Sequence, residues 1–126
     1  MKISVAMATY NGAQYIEEQL ESIRIQTMPV DEVRICDDGS LDDTVEVICH
    51  YIREHGLESS WSVEVNQENL GYASNFMKAV GLTNGDYVFF CDQDDIWIAD
   101  RAERMIGLME AHPDMLLLGS EFDSFV

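Results

Sequence analysis

The sequence predicts an α/β fold in which a mostly parallel sheet is flanked by helices on both faces. Strand-like and helix-like segments alternate along the 126 residues, and repeated βα units of this kind build parallel sheets. The clearest strand is the apolar run at residues 87–91 (YVFFC), because unbroken β-formers are typical of strands buried on both faces. Polar or acidic residues follow several of these strands, and ligands of such folds bind at the carboxyl ends of strands.

The predicted strands are short segments in which apolar residues either alternate with polar ones or run continuously. The first is almost wholly apolar, whereas Val33 and Ile35 alternate with charged neighbours in the second. In chain order, we predict strands at residues 2–9, 32–37, 61–65, 86–91 and 115–118.

The segments between the strands carry apolar residues at the three- and four-residue spacing of an amphipathic helix. In the second of them Val45, Ile48 and Ile52 share one stripe. Gly56 is placed to end that helix, and Pro113 prevents continuation of the last one. In chain order, we predict helices at residues 14–26, 44–55, 72–82 and 100–112.

Length, charge and cysteine content indicate one soluble, cytoplasmic domain. Twenty-four acidic against seven basic residues give a formal net charge of −17, which disfavours binding to nucleic acid or to an anionic membrane surface. No apolar stretch approaches the roughly 20 residues that a transmembrane helix needs. Cys36, Cys49 and Cys91 form no CxxC pair, as expected for a reducing compartment.

The first candidate ligand segment is ATYNG, at residues 8–12, directly after the first predicted strand. Its short polar residues and its glycine let backbone amides face a ligand, and the ring of Tyr10 could stack on a planar base. An ordinary turn built on an Asn-Gly pair is the alternative interpretation.

The second segment is DDGS, in which a carboxylate pair ends the second predicted strand. One of Asp37 and Asp38 could accept a hydrogen bond from a nucleobase imide N–H or a ribose hydroxyl, as acidic residues do in dinucleotide sites. Helix capping is the alternative, and it explains Asp42 and Asp43 well. It does not explain the first pair, which lies on the strand side of Gly39.

The third segment is NLGYASN, at residues 69–75, which follows the third predicted strand and opens a helix. Amides at a helix amino terminus are suited to face an anionic or polar ligand. A turn followed by a helix cap is the alternative interpretation.

The fourth segment is DQDD, which places three carboxylates within four residues after the strand at residues 86–91. Residues two apart on an extended segment point the same way, so Asp92 and Asp94 can converge on one cation. Hard divalent cations favour carboxylates together with substrate phosphates. A solvated acidic loop is the alternative, but all four segments fall at the same predicted edge of the sheet, which favours a shared site.

In the order in which they occur, the motifs ATYNG, CDDGSLDDT, NLGYASNF and GDYVFFCDQDDIW closely resemble those of the family 2 glycosyltransferases, an inverting group with the GT-A (Rossmann-like) fold. The resemblance covers about residues 2–112. The DQDDIW form is similar to the branch associated with bacterial surface polysaccharides, including rhamnosyltransferase-like members. It implies that residues 1–126 are the nucleotide-sugar-binding part of such a domain, truncated after about the fifth strand and lacking the acceptor-binding part.

The resemblance also implies roles for individual positions. Asp38 matches a carboxylate that contacts uracil or thymine, and Asp94 matches the acid that touches the metal on the diphosphate. Asp92 matches an acid that contacts ribose, the metal or a metal-bound water. The other nucleotide-binding positions implied are Ala8, Thr9, Tyr10, Asn11, Asn69, Gly71 and Asn75.

Mechanistically, the resemblance implies direct displacement at the anomeric carbon of a UDP- or dTDP-sugar. A Mn or Mg ion would stabilise the departing diphosphate, and a carboxylate would take the proton from the hydroxyl of a glycan or lipid-linked acceptor. That base is expected beyond Val126, because Glu121 and Asp123 lie too close to the fifth strand and no acceptor-binding scaffold follows. Exposed apolar surface could let the chain pair with itself.

Two other classes of protein stay open. One is a nonenzymatic or degenerate nucleotide-binding module of the same fold. The other is a phosphoacceptor signalling domain, which also clusters acids at strand ends and binds magnesium. Such domains carry an acidic pair after their first strand, where this chain has TYN at residues 9–11, so the glycosyltransferase interpretation is preferred.

Overall fold

The computed structural model describes residues 2–91 and 95–111. Strands and helices alternate through this part of the chain, and each predicted element that falls within it is confirmed with its ends within two residues. The strands are β1 (Ile3–Thr9), β2 (Glu32–Asp37), β3 (Trp61–Val65) and β4 (Tyr87–Cys91). The helices are α1 (Ile16–Arg24), α2 (Thr44–Glu54), α3 (Tyr72–Gly81) and α4 (Arg101–Ala111). The fifth predicted strand, at residues 115–118, lies outside the described residues.

The four strands form one sheet in the order β3-β2-β1-β4, and every neighbouring pair is parallel. This confirms the prediction of a parallel sheet. At the carboxyl ends Thr9 pairs with Asp37, and Met7 pairs with Cys91. The carboxyl ends of β1, β2 and β4 therefore lie at the same edge of the sheet.

Helices cover both faces of the sheet, as the sequence predicts. Alternate residues of β1 point to opposite faces: Val5 and Met7 belong to the larger apolar cluster and Ala6 to the smaller one. Helices α1, α2 and α4 contribute to the larger cluster, whereas α3 contributes Ala79 to the smaller one, beside Cys36. None of the helices within the described ranges is both long and apolar enough to cross a membrane.

A buried carboxylate joins the strands at the amino edge of the sheet. Glu32 is 1% exposed and accepts hydrogen bonds from Ser4 Oγ at 2.5 Å and from the N–H of Asn84 at 2.7 Å. Arg34 Nη2 lies 2.9 Å and Lys2 Nζ 3.7 Å from Glu32 Oε1. Burial by itself would raise the pKa of Glu32, but the hydrogen bonds and the two cations outweigh it, so the pKa lies below its usual value.

We expect Glu32→Gln to lower the free energy of unfolding by about 1–3 kcal/mol at neutral pH, because it removes a charged acceptor from buried donors. Since the folded state lowers the pKa of Glu32, its stabilisation is present above the ordinary carboxyl range and is lost as pH falls below about 4. Urea denaturation of the two proteins from pH 7 to pH 3 should therefore show their difference shrinking. Glu64→Gln, at an exposed position of β3, is the matched control and should change little at any pH.

Candidate functional site

The structure brings three of the four predicted ligand segments together at the carboxyl edge of the sheet. Residues 8–12 span the end of β1 and the turn after it, and residues 37–44 span the end of β2 and the loop after it. Residues 66–75 form the loop after β3 and the start of α3. Hydrogen bonds join the segment after β2 to the segment after β1. They also join the loop after β3 to Asp38. In the fourth segment, Asp92 and Asp94 lie outside the described residues.

Asp37 organises the turn that follows β2. Its carboxylate is fully buried and accepts hydrogen bonds from Thr9 Oγ1 at 2.7 Å and Ser40 Oγ at 2.6 Å. The N–H groups of Gly39 and Ser40 also donate to it, at 3.1 and 2.7 Å. Gly39 has φ +82, a conformation that favours glycine. The side chains of Thr9 and Asp37 are thus engaged with the protein itself.

Asn11 joins the loop after β1 to the loop after β2. It adopts φ 52, a conformation that asparagine tolerates better than most residues. Its N–H donates to Ser40 Oγ at 2.8 Å, and its Oδ1 accepts from the N–H of Leu41 at 2.8 Å. The N–H of Gly12 donates to Thr44 Oγ1 at 2.8 Å. These bonds hold the predicted ATYNG segment in a fixed shape and leave Tyr10 42% exposed beside it.

Asp38 anchors the loop between β3 and α3. It is 5% exposed; Oδ1 accepts from Asn66 Nδ2 at 2.9 Å and from the N–H of Leu70 at 2.7 Å, and Oδ2 accepts from the N–H of Gly71 at 3.0 Å. Burial would raise the pKa of Asp38, but these hydrogen bonds outweigh it and lower the pKa. Asp38 is therefore ionised at neutral pH. Its Oδ1 accepts two hydrogen bonds, whereas its Oδ2 accepts one.

Asn66 and Lys78 belong to this network, although the sequence analysis did not single them out. Asn66 is 7% exposed; its Nδ2 also donates to Asn75 Oδ1 at 2.7 Å, and its Oδ1 accepts from Lys78 Nζ at 2.7 Å. Asn75 in turn donates through Nδ2 to the carbonyl oxygen of Cys36 at 2.8 Å. The only sequence signal for Asn66 is its place directly after β3, which many turn residues share.

Asn69 and Gly71 shape the start of α3. Asn69 is exposed, and its Nδ2 lies 3.3 Å from the carbonyl oxygen of Asp38. Gly71 has φ +83 and precedes the first residue of the helix, so a residue with a side chain would be strained there. Ala8, by contrast, is buried within β1. The predicted positions therefore divide into exposed ones at the edge, such as Tyr10 and Asn69, and buried ones that support them.

The described residues contain no group of three or more histidine, cysteine or acidic side chains that could hold a metal ion. Asp37 and Asp38, at the end of β2, both accept several protein hydrogen bonds. The two acids predicted to bind a cation, Asp92 and Asp94, fall in residues 92–94, outside the described residues. The carboxylates that the sequence places there are the ligand type that Mn²⁺ and Mg²⁺ favour.

Asp95, the last acid of the fourth segment, is paired with a buried cation. Its Oδ2 lies 3.1 Å from Nη1 of Arg101, which is 3% exposed. The guanidinium carbon of Arg101 also lies 4.5 Å from the centroid of the Trp97 ring, a favourable cation–π arrangement. The structure thus assigns Asp95 a contact that the sequence analysis could not predict.

A parallel α/β sheet whose carboxyl edge carries an ionised acceptor, an exposed aromatic ring and a glycine-containing helix start defines a candidate nucleotide-binding protein. Comparison with known proteins narrows this class. The family model for glycosyl transferase family 2 matches residues 4–124. The chain belongs to this glycosyltransferase family, and the phosphoacceptor alternative is set aside.

Individual relatives agree with this family. The dTDP-rhamnosyl transferase RfbG of Shigella flexneri is 40% identical over 104 residues, which are 79% of this chain and 35% of that protein. The crystal structure of S. aureus TarS in complex with UDP is 29% identical with a TM-score of 0.77, and the match covers 90% of this chain and 33% of that one. The GT-A fold is thereby confirmed.

A mannosyltransferase from Pyrobaculum calidifontis, in complex with GDP-Man and Mn2+, is 30% identical with a TM-score of 0.71. That match covers 78% of this chain and 29% of the mannosyltransferase. The chain thus spans about a third of the length of the proteins it matches.

We expect Asp37→Asn to destabilise the fold by about 1–3 kcal/mol, because asparagine has one acceptor oxygen where four donor groups converge on a buried carboxylate. Chemical denaturation at pH 7 measures this change. Asp43→Asn makes the same chemical substitution at an exposed residue whose side chain caps no helix N–H, and it should be nearly neutral. Equal stabilities for the two variants would contradict the anchoring role of Asp37.

Proposed function

We propose that residues 1–126 form the nucleotide-sugar-binding part of a glycosyltransferase that uses a UDP- or dTDP-sugar. The observation that carries the proposal is Asp38, a buried and ionised carboxylate whose Oδ2 accepts one hydrogen bond at the edge of the sheet. The UDP complex of TarS and the dTDP-rhamnosyl transferase relative support this choice of nucleotides.

In this proposal Asp38 recognises the base through a hydrogen bond. Uracil and thymine present an imide N–H between two carbonyl groups, and a charged carboxylate accepts a hydrogen bond from it. Cytosine has an unprotonated ring nitrogen at that position, so two acceptors would face each other and the base would be rejected. Tyr10, which is 42% exposed beside the same edge, would stack on the ring.

The other nucleotide-binding positions act in two ways in this proposal. The buried side chains of Thr9 and Asn75 are already bonded to the protein, so these residues would support the pocket rather than touch the ligand through their side chains. Asn69 and the backbone of Gly71 lie at the exposed start of α3 and would line the pocket. Residues assigned to the base and ribose are Ala8, Thr9, Tyr10, Asn11, Asp38, Asn69, Gly71, Asn75 and Asp92.

A Mn²⁺ or Mg²⁺ ion would be held by Asp94 and Asp92. The mannosyltransferase complex with GDP-Man and Mn2+ and the oxygen ligands that the sequence offers support this assignment. When bound, such an ion supplies positive charge that stabilises a departing nucleoside diphosphate.

The acceptor in this proposal is a bacterial cell-surface polysaccharide or glycolipid, as implied by the similarity of the DQDDIW motif to the surface-polysaccharide branch of the family. Transfer by the whole enzyme would take place in the cytoplasm. No disulfide joins Cys36, Cys49 and Cys91, which agrees with a reducing compartment.

Calorimetric titration of the chain with UDP and with dTDP, each with and without Mn²⁺, tests the donor site directly. Metal-dependent binding of either nucleotide is the expected result. A folded sample that binds neither nucleotide would overturn the proposed function.

Asp38→Asn should weaken the binding of UDP by roughly 10- to 150-fold with or without metal, because a charge-assisted hydrogen bond of about 1.5–3 kcal/mol is lost. The same titration measures the effect. Asp43→Asn removes an equal charge at an exposed position nearby and should bind UDP like the unsubstituted chain. If the two variants bind UDP equally well, the base does not contact Asp38.

Asp94→Asn should weaken Mn²⁺-dependent UDP binding by at least roughly 10- to 100-fold. Loss of a residue that only supports a metal ligand already costs that much affinity, and Asp94 is proposed as a ligand itself. Binding measured without metal should stay as it is in the unsubstituted chain, because the base contacts are unchanged. Asp86→Asn, at the start of β4 and the opposite edge of the sheet, is the control. Full retention of the Mn²⁺ effect in Asp94→Asn would remove this residue from the metal site.

A further inference from the structure

We propose that Lys78 and Asn66 are positioning residues that determine which oxygen of Asp38 faces the nucleobase, and that they thereby set a preference for uracil or thymine over cytosine. The inference rests on the proposed function, in which Asp38 contacts the base. It adds two residues that the family resemblance did not assign and gives each a specific task.

The first step is the orientation of the Asn66 amide. An asparagine side chain has one acceptor end and one donor end, and a half-turn exchanges them. Lys78 Nζ lies 2.7 Å from Asn66 Oδ1, and a lysine ammonium can only donate. The acceptor end of Asn66 must therefore face Lys78, which leaves its Nδ2 to donate to Asp38 and Asn75.

The second step is the orientation of the Asn75 amide. Its Nδ2 donates to the carbonyl oxygen of Cys36 at 2.8 Å, and a backbone carbonyl can only accept. Its Oδ1 must therefore face Asn66, from which it accepts a hydrogen bond at 2.7 Å. Because Cys36 lies within β2, the sheet itself determines the direction of this bond.

Together, the lysine at one end and the carbonyl group at the other allow only one direction for every hydrogen bond between them. Asn75 and Lys78 are three residues apart on α3, so they lie on the same face of the helix. Asn66 and Asn75 are 7% and 2% exposed, so water has little access to replace a lost partner. The network therefore couples the position of α3 to the side chain of Asp38.

The network makes the two oxygens of Asp38 unequal as hydrogen-bond acceptors. Oδ1 accepts two hydrogen bonds, from Asn66 and from the N–H of Leu70, whereas Oδ2 accepts one, from the N–H of Gly71. Oδ2 is thus the oxygen with acceptor capacity for a ligand. A half-turn of Asn66 would place its oxygen against the acceptors of both Asp38 and Asn75, so Asn66 stays in the orientation that donates to Oδ1 of Asp38.

The test compares the binding of UMP and CMP, which carry the same ribose and phosphate, so that the ratio of their dissociation constants reports on the base alone. In Lys78→Met the buried Oδ1 of Asn66 loses its donor, so Asn66 is held less firmly against Asp38 Oδ1 and the preference for UMP should fall about tenfold, equivalent to about 1.4 kcal/mol. Lys78→Arg keeps a group that can only donate and should retain the preference. A general loss of stability would not change this ratio.

Lys2→Met is the matched control, because it removes the same charge from the amino edge of the sheet, where Lys2 is 44% exposed. Its preference for UMP should equal that of the unsubstituted chain. Asn66→Ala serves if the methionine variant does not fold, since it removes the hydrogen bond to Asp38 Oδ1 directly. The preference should fall in this variant as well.

The outcomes separate the inference from the proposed function. If the unsubstituted chain prefers UMP and Lys78→Met or Asn66→Ala keeps that preference, the positioning role is overturned and the donor site stands. If the unsubstituted chain binds UMP and CMP equally, Asp38 does not read the base and both proposals are overturned. A preference that falls in Lys78→Met and is restored in Lys78→Arg supports the inference.

Discussion

The parallel pairing of β1 with both β2 and β4 is the constraint on which the rest of the structure depends. It places Thr9 opposite Asp37 and Met7 opposite Cys91, so the carboxyl ends of these three strands lie at one edge. The hydrogen bonds of the candidate site then form between residues that are far apart in the chain: Asn66 reaches Asp38 across 28 positions, and Asn75 reaches Cys36 across 39. Without the register of β1 on β2, Thr9 and Asn11 would lack their partners Asp37 and Ser40. The register of β2 on β3 likewise brings Asn66 to Asp38.

Asp37 and Asp38 show how environment divides two adjacent identical residues between different tasks. Successive residues at the end of a strand point to opposite sides. Asp37 accepts hydrogen bonds from Thr9 and Ser40 and stabilises the turn that follows β2. Asp38 accepts from Asn66 and from two N–H groups at the start of α3. One carboxylate thus supports the shape of the edge, and the other retains an oxygen that a ligand can use.

Much of the fold could be predicted from periodicity, because the spacing of apolar residues records which side of each element faces the core. The stripe of Ile48 and Ile52 on α2 is an example, and it is buried where predicted. The run of β4 is not buried on both faces as predicted, because β4 is the outer strand of the described sheet: Phe89 and Cys91 are buried, but Phe90 is 45% exposed. The candidate edge was also predictable, since polar residues cluster after several strands. The roles of Asn66 and Lys78 could not be predicted. An asparagine after a strand and a lysine on a helix are ordinary surface residues until their partners are known.

The sequence by itself determined the order of the elements, the acidic balance and the family, because these follow from local spacing, composition and short motifs. Only the tertiary structure decided which polar groups are supports and which are available to a ligand. Thr9 and Asn75 look like ligand contacts in the chain, yet their side chains bond to the protein. The physical reason is that a hydrogen bond needs a partner at about 3 Å, and the partners here come from separate strands and helices that only the folded sheet brings together.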